Sequence, residues 1–220
     1  MVGVGVNAVP IVGQPLAFGV GFLTLVFVAF SGLFGQYFVV FAHEGGHIVA
    51  GKLILRRLLG FWVNDDGTGL TLIAGRRWAV GNLFFLVVGY ATPPLLGLGA
   101  AALIAAGNPF AVLLIAGLAS LLAVIPARNG LAFLIPLVLV IAMTFVLLRG
   151  TDFLQAVAAV AIAWFLLISG AAAALDLRGR KADSASLATK TLVPAVLWEL
   201  LWAAVGLVAL VAGGRLLLVP

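Results

Sequence analysis

Residues 17–55 read AFGVGFLTLVFVAFSGLFGQYFVVFAHEGGHIVAGKLIL, a run whose only charged side chains are Glu44 and Lys52. As one helix it would be about 58 Å long at 1.5 Å per residue, nearly twice a ~30 Å hydrocarbon core. It must either tilt and protrude or break near SGLFGQ (31–36) into two spans. A lone glycine does not end a membrane helix, so the run is read as one long, kinked helix.

The rest of the chain has the same character. Of 220 residues, 65% are hydrophobic and 9% charged, against about 25% charged in a soluble domain. Apolar spans fall at about 18–50, 79–106, 109–126, 131–148, 153–175 and 192–213, separated by GRRW, GNP, PARNG, LRGTD and DLRGRKADSASLATK. A strand-built barrel would show alternating ~10-residue segments, and none is visible. The predicted fold is therefore an all-α polytopic membrane protein of about six transmembrane helices, a single integral membrane domain over 1–220. The N-terminus lacks the basic region of a secretory signal, so the first apolar segment is taken as retained.

The 12 Lys and Arg residues orient it. With six spans and the N-terminus outside, Lys52, Arg56, Arg57, Arg76, Arg77, Arg128, Arg178, Arg180, Lys181 and Lys190 share one side, and only Arg149 and Arg215 lie on the other. Positive charge marks the cytoplasmic side, which predicts a multi-pass protein of the cell membrane. Splitting the first run would move only the N-terminus. The basic balance is explained by topology and gives no argument for nucleic acid. Between the first two spans, FWVNDDGTGLTLIAG (61–75) places Asp66-Gly67 between β-prone runs, the signature of a hairpin, here expected at the cytoplasmic surface.

His43 and His47 are four apart with Glu44 between them. On a helix the two histidines share a face, and H-E-x-x-H is the pattern in which they hold Zn²⁺ while the glutamate acts as general base. Chance placement of these three residues in this pattern is about 1 in 12,000, which outweighs the false-positive risk of a short motif. A packing or interfacial role for the histidines is the alternative. It is disfavoured because three ionisable residues within five positions of an apolar helix are costly and tend to be functional. Gly45 and Gly46 each cost about 1 kcal/mol against Ala in a helix, which close approach of a second helix or of a substrate backbone would offset. If Lys52 snorkels to the boundary, His47 lies ~8–13 Å inside, with the metal open to the cytoplasmic side.

A catalytic zinc takes three protein ligands and leaves one position open. The chain has no cysteine and no other histidine, so the third ligand must be an acid. Asp152 belongs to an outside loop, and Asp65 and Asp66 suit a turn. Asp176 and Asp183 flank the cytoplasmic loop before the last span, and either can reach the metal. Glu199 lies ~11 Å into that span, near the depth of His47. Their alternatives are a helix end beside Arg178 for Asp176, an N-cap for Asp183 and a bond to a neighbouring helix for Glu199.

Together these features resemble the site-2 protease class of intramembrane metalloproteases, most closely the compact M50B-like peptidases. The matching segments are HEGGHIVAGKL (43–53), DDGTGLT (65–71), VVGYATPPLLG (87–97), similar to an AGY-type segment, and ADSASLATKTLVPAVLWELLW (182–202), similar to a late stretch with Asp, Thr-x-x-Pro and Trp-x-x-x-Trp. The resemblance covers most of 40–205. It implies zinc-dependent hydrolysis of peptide bonds in or near transmembrane segments of membrane-protein substrates within the lipid bilayer. His43 and His47 would be ligands and Glu44 the base, with Asp183 favoured as third ligand over Asp176 and Glu199. The chain departs from better-studied members, which carry an Asn-Pro…Leu-Asp-Gly element for that ligand; ALDLRG (174–179) has Leu-Asp without the adjoining Gly. A non-catalytic metal-binding or metal-transporting membrane protein is the alternative function, and it would keep the histidines without needing Glu44.

Overall fold

The computed structural model describes residues 13–75, 79–175 and 182–219. The first apolar run is two helices, α1 (Gln14–Phe30) and α2 (Leu33–Leu53), meeting at 103°. The single long helix read from the sequence is thus corrected. Gly32 adopts φ 54°, ψ −131°, a conformation open to a residue without Cβ and hostile to any other, and a Ser-Gly pair is a recurrent site of sharp kinks.

Among the described residues, four helices are long and apolar enough to cross a bilayer: α3 (Ala79–Ala105), α5 (Gly130–Arg149), α6 (Asp152–Leu175) and α8 (Ala195–Leu218), and the bent α1–α2 pair counts as a fifth. The remaining apolar helix, α4 (Pro109–Val124), has 16 residues and is about 24 Å long. The expected six spans are therefore four to five by length, α4 alone falling short of a ~30 Å core. The chain is a multi-pass membrane protein in this form. Large apolar side chains such as Phe22, Phe30, Phe145 and Val208 point outward, as lipid contact allows.

Lipid gives apolar helices no hydrophobic reason to associate, so close approach through small residues does the work. Ala159, Ala163 and Leu167 of α6 are fully buried. A Cβ at Gly97 would come within 2.8 Å of the Leu167 backbone, one at Gly170 within 2.6 Å of Pro94, and one at Gly206 within 3.0 Å of Ala171. α3, α6 and α8 thus pack backbone to backbone. Trp164 on α6 ties down α1, its indole N–H donating to the Ala17 carbonyl at 3.0 Å.

The hairpin forms from β1 (Arg57–Val63) and β2 (Gly69–Ala74), antiparallel with an irregularity between Leu58 and Gly60. It begins four residues before the expected 61, Arg57, Leu58 and Gly60 pairing with Ala74, Ile73 and Leu72, and the α4–α5 connection takes β1's other edge. Phe61 N–H donates to Pro126 O and Arg128 N–H to Phe61 O, both at 3.0 Å. The Asn129 side chain also holds Val63, donating to its carbonyl at 2.6 Å and accepting from its N–H at 3.3 Å. The hairpin does not project beyond the end of α2. It folds back along that helix: Gly51 lies against Ile73, Gln36 donates to Gly67 O at 3.0 Å, and the Tyr37 hydroxyl to Asp65 O at 2.9 Å. Some 22 Å of helix is thereby covered by hairpin, including the His-Glu motif.

The last connection, expected as a polar separator, contains a short helix, α7 (Ala182–Thr191). Leu187 on it is buried against Trp202 of α8 and Ala174 of α6.

Candidate metal centre

Helical spacing on α2 brings His43 and His47 onto one face, their Nε2 atoms 3.1 Å apart. α3 crosses that face. The Phe85 ring stacks on His47 at 4.6 Å between centroids, and Tyr90 meets His43 edge-on at 4.5 Å. His47 Nδ1 donates to the Phe85 carbonyl at 2.8 Å. A carbonyl can only accept, so Nδ1 carries the proton and the Nε2 of a neutral His47 presents a lone pair, the arrangement of a metal-ligating histidine held by a backbone acceptor.

α7 supplies the third corner. Asp183 Oδ2 is 3.3 Å from His43 Nε2 and 3.2 Å from His47 Nε2. Ligands bound at 2.0–2.1 Å in a tetrahedron lie about 3.3 Å from one another, so the three donor atoms form a triangle of the right size for a zinc-like ion. Two imidazoles and one carboxylate are also a chemically suitable donor set. Burial works against charge on Asp183, but the two imidazoles outweigh it and hold the carboxyl well below the usual carboxylate range. The floor is Gly89 on α3, where a Cβ would stand 2.5 Å from His47 Nε2 and 2.6 Å from His43 Cε1. His47 is almost enclosed, with 5% of its side chain exposed, whereas His43 and Asp183 show 15% and 16%. Access is therefore from the His43–Asp183 side.

Glu44 is buried beside them. Its Oε2 accepts a short hydrogen bond from the Thr71 hydroxyl of β2, and its Oε1 lies so close to Gly69 that a Cβ there would collide at 2.3 Å. The hairpin thus forms the wall against which the carboxylate rests.

Of the other acids weighed from sequence, Glu199 accepts from the Ser184 hydroxyl at 2.6 Å and stands outside the His43–His47–Asp183 group. Asp66 caps the hairpin turn, accepting from the Thr68 N–H and hydroxyl at 2.9 and 2.7 Å. Asp176 lies outside the described residues. The double glycine has two fates: a Cβ at Gly46 would strike Thr92 Oγ1 at 2.1 Å, whereas Gly45 faces open space.

Sequence reasoning missed Thr71, Phe85, Gly89 and Tyr90. Gly89 and Tyr90 fall in the GY segment that carried the family resemblance, so a signal existed for them. Trp202, from the Trp-x-x-x-Trp stretch, is wholly buried, packs on the Tyr90 ring at 4.8 Å and donates to Val87 O at 2.9 Å. Thr71 closes the DDGTGLT segment (65–71) of the same resemblance, which did not mark its role.

No curated protein and no solved structure gives a match to the chain. The sequence model of the family described as Peptidase M50B-like matches residues 16–213, from the first turn of α1 to the last turns of α8. The chain therefore belongs to the M50B-like peptidases and is a membrane metallopeptidase.

Proposed function

We propose that the protein is an intramembrane zinc endopeptidase of the site-2 protease class, cutting peptide bonds in or near the transmembrane segments of other membrane proteins. The observation that carries this reading is the triangle of His43, His47 and Asp183 with a buried carboxylate, Glu44, against it, on helices that match a membrane rather than water. When bound, zinc supplies Lewis acidity, polarising the scissile carbonyl and making water a nucleophile near neutral pH. Glu44 accepts a proton from the attacking water as the C–O bond forms and delivers it to the amide nitrogen as the C–N bond breaks. One water is consumed, and a carboxylic acid and an amine result. Thr71 fixes the carboxylate of Glu44, and the Phe85 carbonyl fixes the tautomer of His47.

A transmembrane helix has its backbone bonded internally, so the substrate must be unwound before its carbonyl meets the site. Among the described residues the outer edge of β2 has no partner strand, while β1 is flanked on both sides. An extended substrate segment adding to β2 would pass beside Glu44. The ten-to-two distribution of Lys and Arg supports a cell-membrane topology with the site near the cytoplasmic face. Six crossings follow if α4 and its flanking residues complete one.

Zinc content of the purified chain is the direct test. One zinc per chain is expected, lost in Asp183→Ala and kept in Asp176→Ala. Full zinc in folded Asp183→Ala would refute the assigned third corner. Glu44→Gln separates this reading from that of a metal carrier, which has no use for the base.

A further inference from the structure

Asp183 is presented by a helix of ten residues, too short to be stable by itself. Its direction is set by its anchors. Leu187 is one, wholly buried against Trp202 and Ala174. Ser184 is a second: it is fully buried, adjoins the ligand in sequence, and donates its hydroxyl to Glu199 Oε1 at 2.6 Å, at the short end of the O–H···O range. Ser184 and Leu187 are three apart and so share a face of α7. With both fixed on one side, the helix cannot turn about its axis, and Asp183, about 100° further round, is held toward the histidines. Remove the Ser184 bond and the anchor nearest the ligand is lost.

Glu199 is the only acid in α8, in the second turn of a helix read as spanning the membrane. An acid there is costly and calls for a function, which the reaction as derived does not give it. We propose that Glu199 is a positioning residue for the metal centre: through Ser184 it fixes the rotation of α7 and thereby the place of Asp183. The inference rests on the metal-centre reading above, and its test separates the two.

The experiment uses the purified full-length chain in detergent, with zinc affinity read by chelator competition and coordination read from the visible spectrum after cobalt loading. Glu199→Leu and Ser184→Ala should each weaken zinc binding about 10-fold, the scale of a lost supporting bond. Each should also shift the cobalt spectrum away from the parent's. Glu199→Gln retains a carbonyl acceptor for the Ser184 hydroxyl and should restore affinity and spectrum nearly to the parent's. The double variant Ser184→Ala/Glu199→Leu should bind no more weakly than either single one, since both remove one interaction. Parent-like affinity and spectrum in Ser184→Ala, which removes a single oxygen and spares the fold, overturn the inference while leaving the metal centre standing. So does a double variant whose losses add. A parent chain that binds no zinc overturns the metal-centre reading and this inference together.

Discussion

A buried carboxylate serves as a base only if something fixes where its oxygens point, and among the described residues one hydroxyl fixes Glu44. Thr71 donates to it from β2, so Thr71→Val, which keeps the shape and removes the donor, should lower kcat by about 10-fold or more while bound zinc stays at the parent level. Zinc-replete Thr71→Val with parent kcat would show that the bond is idle. His43, Glu44 and His47 were legible in the sequence because ligand spacing and helix period coincide within five residues. Asp183 lies 136 residues beyond His47, so elimination among acids could only narrow it to three, and the family resemblance had to favour one. Thr71 lay in the DDGTGLT segment of that resemblance, but its role was illegible for a different reason: a threonine in a β-prone run looks like any strand residue until the strand is laid against α2.

At the scale of elements, the hairpin turn was readable from Asp66-Gly67, but its placement was not. Arg57–Gly60 enter the strand by pairing with residues 72–74 of β2, and residues 126–128 bond to β1's far edge at Phe61, a long-range fact with no local signature. The bend at Ser31–Gly32 was read as a kink within one helix, since composition says only that a glycine is present and not that it takes a positive φ. The hairpin carries its own prediction. Successive residues of a strand turn their N–H groups to opposite neighbours, so in a proline scan over 70–73 some variants break the β1–β2 ladder and others only strip donors from the open edge. The latter should keep the fold, measured by unfolding in detergent, and lose cleavage of a transmembrane substrate. A folded variant of that set that cleaves at the parent rate would remove strand addition from the account.

For the whole molecule, hydropathy and charge settled the class of protein, and tertiary packing settled the site. α3 touches both α2, with its histidines, and α7, with Asp183, so the centre exists only when elements from both ends of the chain meet on this one helix. Orientation is testable without background because the chain has no cysteine. In intact cells, Lys190→Cys should resist a membrane-impermeant maleimide and Arg149→Cys should react, both positions being exposed on the protein; the reverse pattern would invert the topology. The central claim is that Glu44 performs the hydrolysis on a metal held by other residues. It is met most directly by measuring bound zinc and cleavage of a transmembrane substrate on the same preparation of Glu44→Gln. The account predicts zinc unchanged and cleavage down by about 10²–10⁴-fold, and cleavage at the parent rate with zinc in place would contradict it.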